Sequence, residues 1–415
     1  MLVLAGGDLV LPDRILSSAS LVIDKGRIAV VEARSRADLS GATIVDVREC
    51  YVVPGFIDVH VHGIHGHDTL DAGEPVAEIA SRLPQYGVTA FCPTTVACGP
   101  RELRAVLSQV SKARAARPAR SARVLPAHLE SNFINPAYAG AQPVDCLRVP
   151  AGAAADTSIA AAGVAPTVTA RDGSFSARDV LDVVAAARPD VGIVTLAPEL
   201  PGGLELVREL LSAGHRVSLG HSGATLDEAM AAIDVGARHA THLFNRMAPI
   251  THRSPGIAGA ILARDEVGAE LICDGYHVHP AMGRMAIAAK GRERIMAITD
   301  GTGGSGLSSG STARLGGRRI RVTDSAAVLD DGTLAGSTLT MDRAFRTIVT
   351  AFGFSPVDAA MLCATTPARE LGLTGFGVLA RDCVADVAVL DRGFNVVRTY
   401  IDGEQVYGQR AGTEA

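Results

Sequence analysis

The 415-residue chain has no tryptophan and only 4% aromatic residues, which argues against a carbohydrate-binding surface built on stacked rings. Basic and acidic residues nearly balance, 39 against 44, so the net charge of −5 gives no electrostatic case for nucleic acid. No apolar run approaches the ~20 residues of a membrane-spanning helix. The N-terminus also lacks the basic stretch and long apolar core of a signal peptide. We therefore expect neither a nucleic-acid nor a membrane partner.

The seven cysteines are an odd number, they are scattered, and no two of them form a C-x-x-C pair. This pattern fits neither a disulfide framework nor a zinc finger. It predicts reduced and mostly buried thiols in a cytoplasmic protein.

Both ends of the chain show the alternating apolar pattern of short strands. Asp24-Lys25-Gly26 near the N-terminus and Asp402-Gly403 near the C-terminus are typical hairpin turns. The pattern predicts one small β-sandwich domain, formed by residues 1–53 plus 381–415, with the middle of the chain inserted into it.

The middle, residues 54–380, alternates strand-like and helical stretches, as βαβ units do. The helical stretches include 101–116 and 281–295, and the longest insertion, 131–185, is expected to be partly irregular. Eight repeats in this length predict an α/β fold, a (β/α)8 TIM-like barrel. The eight strand candidates are 56–62, 88–96, 123–130, 192–199, 216–222, 239–245, 269–275 and 294–300.

The first barrel strand, in VVPGFIDVHVHG (52–63), carries polar residues where a buried parallel strand is normally apolar. Because side chains alternate along a strand, Asp58, His60 and His62 share one face. Three buried polar groups on one face are costly unless something pairs with them.

Polar residues recur at the carboxyl ends of the other strand candidates, which meet at the rim where barrel active sites are built. Imidazole and carboxylate groups together predict a site for divalent metal. Each histidine alone is more often a hydrogen-bonded structural residue, but so many at one rim favour the metal. The proposed ligands are His60, His62, Glu130, His221, His242 and Asp300.

The remaining histidines are assigned lesser parts. His65 and His67 are placed in the loop beyond the first strand, supporting the ligands from outside. His128 shares a face with Glu130 and either orients that carboxylate or packs in the core. His215, His239 and His279 are expected to be structural.

Lysine is scarce, since the chain holds only Lys25, Lys112 and Lys290. The first lies in a predicted hairpin and the other two in predicted helices. None of them stands at a strand end, so a carboxylated lysine bridging two metals is excluded. Any bridge between two ions falls to Glu130.

Eight ordered motifs, spread over residues 128–342, resemble the N-acetylglucosamine-6-phosphate deacetylase family of the amidohydrolase superfamily. They are HLESNFINPAYAGA (128–141), TLAPE (195–199), GHSGAT (220–225), THLFNRM (241–247), HRSPGIAGAIL (252–262), DGYHV (274–278), ITDG (298–301) and GTLAGSTLTMD (332–342). The resemblance implies a metal-dependent hydrolase that removes the acetyl group of N-acetylglucosamine 6-phosphate.

The resemblance also assigns parts to individual residues. Glu130, His221 and His242 match the principal metal ligands, Asp300 the catalytic aspartate, and His277 the histidine that polarises the amide carbonyl. His60 and His62 match members that bind two divalent ions, with zinc favoured over iron, manganese or cobalt. Arg253 matches an arginine that completes the neighbouring subunit's site, which implies a homodimer. The other substrate contacts implied are Ala141, Gln142, Asn245, Arg246, Leu334, Ala335 and Gly336.

Departures from the family pattern fall on the substrate side. The family usually has Gly-Pro where this chain has Ser131-Asn132, histidine where it has Gln142, and alanine where it has Arg246. They leave open a related N-acyl amino sugar, such as N-acetylgalactosamine 6-phosphate or an unphosphorylated sugar. Another amide hydrolase of the superfamily and a catalytically silent metal-binding protein are the further alternatives.

Overall fold

The computed structural model describes residues 1–32, 41–150 and 175–408, so the irregular insertion expected around 151–168 lies outside the described residues. In chain order the strands are β1 (Leu2–Val10), β2 (Ile15–Asp24), β3 (Arg27–Glu32), β4 (Thr43–Asp46), β5 (Tyr51–Pro54), β6 (Phe56–Val61), β7 (Gly63–Ile64), β8 (His67–Asp68), β9 (Val88–Thr95), β10 (Arg123–Val124), β11 (Ala127–Glu130), β12 (Val191–Leu196), β13 (Arg216–Leu219), β14 (His239–Ala240), β15 (Gly268–Ile272), β16 (Ile295–Ile298), β17 (Thr312–Leu315), β18 (Arg318–Val322), β19 (Ala327–Val328), β20 (Val387–Leu390), β21 (Val396–Ile401) and β22 (Glu404–Tyr407).

In the described ranges, α-helices alternate with the barrel strands along the chain. They are α1 (Pro75–Arg82), α2 (Pro100–Ala115), α3 (Ala177–Ala186), α4 (Gly203–Ser212), α5 (Leu226–Val235), α6 (Gly256–Ala263), α7 (Pro280–Lys290), α8 (Met341–Thr350), α9 (Pro356–Ala360) and α10 (Thr366–Glu370). A π-helical turn, Met361–Thr365, joins the last two.

The two ends of the chain form one mixed sheet in the order β22-β21-β20-β5-β1-β2-β3, with β4 also paired to β1. The central strand β5 runs antiparallel to β20 and parallel to β1, so it joins the two halves. The predicted hairpin turns are confirmed, because Lys25 and Asp402 both adopt positive φ between paired strands. A separate apolar core under this sheet includes Leu21, Val52 and Tyr400.

Eight parallel strands, β6, β9 and β11 to β16, form the predicted barrel. Backbone hydrogen bonds close it between the first and last strands, from Asp300 N to His60 O (3.1 Å) and from His62 N to Gly301 O (2.8 Å). One helix of α1 to α8 follows each strand, and all share one large hydrophobic core with the outward faces of the strands. The α/β fold class is therefore confirmed. The division into domains 1–53 plus 381–415 and 54–380 stays a prediction.

Several boundaries differ from the prediction. Strand 123–130 is interrupted and splits into β10 and β11. The helix predicted over 281–295 ends at Lys290, because Gly291 adopts a φ of +79° and the chain turns into β16. The three-stranded antiparallel sheet of β17, β18 and β19, between the last barrel strand and its helix, was not predicted. None of the helices in the described ranges combines the length and apolarity needed to cross a membrane.

Candidate metal centre

The barrel brings the first-strand histidines to Asp300. His60 lies on β6, His62 follows its end, and all three side chains are buried. The Nε2 atoms of His60 and His62 are 3.1 Å apart. They lie 3.4 Å and 3.3 Å from Asp300 Oδ1. Three potential ligand atoms thus converge on one point.

A second group forms around Glu130, the last residue of β11. Its Oε1 lies 2.7 Å from His221 Nε2 and 2.8 Å from His242 Nε2, and these two nitrogens are 3.1 Å apart. The other oxygen, Oε2, lies 3.4 Å from His62 Nε2. The Glu130 carboxylate therefore stands between the two groups, as a bridging ligand would.

The donor atoms suit a divalent ion. With a metal–nitrogen distance of about 2.1 Å, neighbouring ligand atoms are about 3.0–3.4 Å apart at the corners of an octahedron or tetrahedron. The Nε2···Nε2 distances of 3.1 Å in both groups fall in this range. Both groups satisfy the geometric requirement for holding an ion. Imidazole and carboxylate are ligands of zinc and of other transition metals, so the residues present fit a metal centre.

Three of the proposed ligands sit in a backbone conformation that L-residues rarely adopt. His221, His242 and Asp300 have φ values of +48°, +30° and +48°. Each stands two residues beyond the end of its strand, where the chain turns sharply at the rim. Such conformations cost of order 1–3 kcal/mol and cluster at functional sites.

The electrostatics of the metal-free site favour charged groups. Burial opposes ionisation of Glu130, but His221, His242 and His62 outweigh it and hold the pKa of that carboxyl well below its usual value. Burial also opposes a charge on His62, yet Asp300 and Glu130 raise its pKa to about 10. The pKa of His242 rises to about 9 against the same burial, chiefly because of Glu130. The protonated rings of His62 and His242 thus carry positive charge next to the carboxylates, where a bound cation would also place it.

His277 lies in the loop after β15, at the same rim. Its Nδ1 is 2.6 Å from Asp274 Oδ2, while its Nε2 is buried and has no hydrogen-bond partner among the described residues. Because an ionised carboxylate can only accept, Nδ1 carries the proton. The free Nε2 is available to a ligand.

The segment 334–336 approaches Asp300 at its end, where Gly336 lies directly against it. Ser337 N donates to Asp300 O (2.7 Å), and a Cβ at Gly336 would lie 2.8 Å from that oxygen. Gly336 has a φ of +55°, so only glycine fits this position without strain. Ala335 is buried beside this contact, and Leu334 pairs with Val328.

The other predicted substrate residues are spread around the rim. Gln142 is buried, and its Nε2 donates to Glu130 Oε2 while its Oε1 accepts from Ala97 N. It therefore contacts a proposed metal ligand. Ala141 O accepts from Arg318 (3.0 Å), and Asn245 lies in the turn after His242.

Arg246 and Arg253 are both exposed. Arg246 stacks its side chain over Gly140, where a Cβ would lie 2.5 Å from its Nε. Arg253 lies in a turn closed by hydrogen bonds between Thr251 and Ser254. In the described ranges neither guanidinium makes an ion pair or a hydrogen bond.

Two of the departures from the family pattern are structural. Ser131 donates to Thr195 O (2.5 Å), and Asn132 donates to the carbonyls of Cys98 and Cys146 (2.8 and 2.7 Å). These side chains connect neighbouring loops. Of the positions that differ, Arg246 alone among the described residues presents an exposed side chain.

The supporting parts expected of His65 and His67 were wrong, whereas His128 follows the packing alternative. His65 bonds Tyr86 (2.6 Å) and makes no hydrogen bond or ion pair with a proposed ligand within the described chain. His67 belongs to strand β8, not to a loop. His128 packs inside the barrel, with its ring nitrogens 3.1 Å from Val59 O and 2.7 Å from Thr195 Oγ1, and it does not orient Glu130.

His215 and His279 are structural, as predicted. His215 Nδ1 bonds Val191 O (3.0 Å), and His279 caps the start of α7 by accepting from Ala281 N (3.2 Å). His239 likewise lies within the barrel, where it bonds Glu270 (2.8 Å).

Sequence reasoning missed three acidic residues. Asp274 bonds His277, and Glu199 accepts from Ser222 Oγ and Gly223 N (both 2.7 Å), fixing the turn that carries His221. Glu270 is fully buried on β15 and bonds His60 and His239. The signal available was a lone acid in the apolar run AELIC, the same anomaly that marked His60.

Comparison with known proteins identifies the family of the chain. The model of the amidohydrolase family matches residues 51–406. The chain is 31% identical over 401 residues to N-acetylglucosamine-6-phosphate deacetylase of Bacillus subtilis, covering 95% of this chain and 94% of the relative. It is 33% identical over 354 residues to N-acetylgalactosamine-6-phosphate deacetylase of Escherichia coli O157:H7, covering 85% and 86%.

Solved structures give the same result. A mutant N-acetyl-D-glucosamine-6-phosphate deacetylase of Mycobacterium smegmatis, in complex with N-acetyl-D-glucosamine-6-phosphate, is 30% identical, with a TM-score of 0.83 and coverage of 98% of this chain and 99% of that one. With a family match over most of its length and relatives above 30% identity, the chain belongs to the amidohydrolase family.

Proposed function

We propose that this protein is a metal-dependent deacetylase that hydrolyses the acetamide of N-acetylglucosamine 6-phosphate to glucosamine 6-phosphate and acetate. The observation that carries the proposal is the carboxylate of Glu130 between two histidine groups, with Asp300 beside one of them. Relatives named for this reaction at 31% identity support it.

The proposed ligands are His60, His62 and Asp300 on one side and His221 and His242 on the other, with Glu130 shared. A divalent ion held by these residues would supply Lewis acidity, which would polarise the amide carbonyl and make water easier to deprotonate. We propose two ions per subunit, with zinc favoured by the mixed imidazole and carboxylate donors and iron, manganese or cobalt as alternatives.

Asp300 acts as the general base. It takes a proton from the attacking water, whose oxygen bonds to the carbonyl carbon, and it later returns that proton to the departing amine as the C–N bond breaks. His60 and His62 outweigh the effect of burial and lower the pKa of Asp300, so the carboxylate is ready to accept at neutral pH.

His277 stabilises the charge that develops on the carbonyl oxygen. With Nδ1–H donated to Asp274, Nε2 donates to that oxygen when the ring carries both protons. Leu334, Ala335 and Gly336 line the sugar beside Asp300 in this proposal, with Ala141 and Asn245 as further contacts.

The exposed guanidinium of Arg246 supports an anionic substrate, since arginine binds phosphate through paired hydrogen bonds. The second candidate substrate is N-acetylgalactosamine 6-phosphate, which the 33% identical relative favours. Gln142 stands where the family usually contacts the sugar, and here it contacts Glu130.

We also propose a homodimer in which Arg253 reaches the partner's site. Its support is the exposed position of Arg253 and the exposed apolar side chain of Ile250 in the same loop. A cytoplasmic location is proposed because all seven cysteines are free thiols.

One experiment tests the substrate and the reaction together. Acetate release is measured from N-acetylglucosamine 6-phosphate, N-acetylgalactosamine 6-phosphate and N-acetylglucosamine, with the metal content of the same protein determined in parallel. We expect the first sugar to give the highest kcat/KM. A higher kcat/KM for the second sugar would identify N-acetylgalactosamine 6-phosphate as the substrate. If metal-loaded protein releases no acetate from any of the three sugars, the proposed deacetylase activity is refuted.

A further inference from the structure

A buried carboxylate that the proposed reaction does not use lies beneath the metal centre. Glu270 on β15 is fully buried in the barrel interior. An ionised or polar group in that position is costly unless its hydrogen bonds are satisfied. The neighbouring residues supply hydrogen-bond donors to the Glu270 carboxylate.

Both oxygens of Glu270 accept hydrogen bonds from groups connected with the site. Oε2 lies 2.9 Å from His60 Nδ1 and accepts from the backbone N of His242 (3.2 Å). Oε1 lies 2.8 Å from His239 Nε2. One carboxylate thus holds a side chain of one ligand group and the backbone of the other.

These contacts are hydrogen bonds and not a third metal position. His60, His128 and Glu270 lie close enough together to hold an ion. Both ring nitrogens of His128, however, have partners at hydrogen-bond distance, Val59 O and Thr195 Oγ1. The threonine continues the network to Thr241 (2.7 Å), which in turn bonds Ser218 (2.5 Å).

The contact with Glu270 determines how His60 is protonated. A carboxylate accepts and cannot donate, so the proton of the neutral ring must sit on Nδ1. Nε2, the atom 3.1 Å from His62 Nε2 and 3.4 Å from Asp300 Oδ1, is then left with its lone pair for a cation. In metal proteins such outer partners typically change metal affinity by about 10–100-fold.

We propose that Glu270 is the positioning residue of the metal centre, fixing the Nδ1–H tautomer and orientation of His60 and anchoring the turn at His242. The proposal rests on the metal centre of the proposed function but not on which amide is cleaved. Glu270 acts through these two ligands, and its own side chain is fully buried.

The test counts metal instead of turnover. Metal equivalents and affinities are measured on the full chain by elemental analysis and competition with a chelator, for the wild type, Glu270→Leu and Glu270→Gln. Leucine removes every acceptor, so the ion at His60 and His62 should bind about 100-fold more weakly or be lost. Glutamine keeps an oxygen for His60 and should weaken binding by only about tenfold.

Two further variants separate the possible failures. His60→Ala removes the ligand itself. If that variant keeps the metal content of the wild type, no ion is bound at His60 and the proposal is refuted. Asp386→Asn alters another buried carboxylate, one that accepts from Arg123 (3.2 Å) and contacts no proposed ligand, and it should bind both ions as the wild type does.

The outcomes are distinct. If His60→Ala loses an ion and Glu270→Leu does not, the part assigned to Glu270 is refuted while the deacetylase proposal stands. Equal losses in Asp386→Asn and Glu270→Leu would also refute it. Should Glu270→Leu fail to fold, nitrogen-15 NMR of the wild-type His60 ring decides: a proton on Nδ1 supports the proposal and a proton on Nε2 overturns it.

Discussion

At the scale of residues, the centre depends on side chains placed just beyond the strand ends. Asp300 combines a strained backbone, a buried carboxylate and contacts of 3.4 and 3.3 Å to His60 and His62. No other carboxylate of the described chain lies within 4 Å of both histidines except Glu130, which is placed between the two groups. These positions suit Asp300 to proton transfer and Glu130 to a place between the two ligand groups.

Asp300→Asn should remove the general base while preserving shape. We expect turnover to fall by roughly 10²–10⁴-fold, because an amide cannot take the proton from water. Acetate release and metal content are measured together, with Asp330→Asn, an exposed carboxylate on a turn, as the matched control. An Asp300→Asn enzyme with near wild-type turnover would remove Asp300 from this role.

Arg246→Ala should weaken binding of phosphorylated sugars selectively. The guanidinium stands exposed beside Gly140, so its loss should raise KM for the 6-phosphate by roughly tenfold and leave the unphosphorylated sugar unchanged. Arg319→Ala, another exposed arginine, is the control and should change neither value. An equal rise in KM for both sugars would mean that Arg246 does not bind the phosphate.

At the scale of elements, periodicity predicted the barrel because each strand is an apolar run of strand length followed by a helix. The short sheet β17–β18–β19 was missed because TARLGG and RRIRV carry arginines and glycines, which read as an exposed loop. Glu270 was missed for the opposite reason. Its strand is otherwise apolar, so the pattern predicts a buried strand and draws no attention to the single acidic residue. Ligand distances could not be predicted, because they depend on how the barrel closes.

The helix after His221 offers a stability test. Thr225 caps α5 by a reciprocal pair of hydrogen bonds with Glu228. Thr225→Ala should lower the free energy of unfolding by about 1 kcal/mol with little change in kcat. Denaturant unfolding is compared with Ser212→Ala, an exposed serine near the end of α4. A loss no larger than that of the control would show that this cap contributes nothing.

At the scale of the whole molecule, metal binding should release protons. In the metal-free protein the pKa of His62 is about 10 and that of His242 about 9, so both rings are protonated at neutral pH. A cation needs neutral rings, so binding should expel about one proton from each and tighten as pH rises from 6 to 8. Calorimetry in buffers of different ionisation enthalpy measures this, and binding without proton release would contradict the assigned ligands.

A shared dimer site can be tested by mixing two inactive variants. If Arg253 serves the partner, a mixed dimer of Arg253→Ala and Asp300→Asn subunits contains one intact site, and random mixing restores about a quarter of the sites. If Arg253 serves its own subunit, every site in the mixture is defective. Acetate release after dissociation and reassociation distinguishes the two, with each variant treated alone as the control.

The position of β5 between β1 and β20 has a consequence for biosynthesis. As the chain leaves the ribosome, Tyr51–Pro54 has only its N-terminal neighbour to pair with until Val387–Leu390 has been made, more than 330 residues later. One edge of a nascent apolar strand therefore stays open for most of translation. A trapped ribosome complex ending before Val387 should be captured by chaperones that recognise unpaired strands, and one ending after Tyr407 should not.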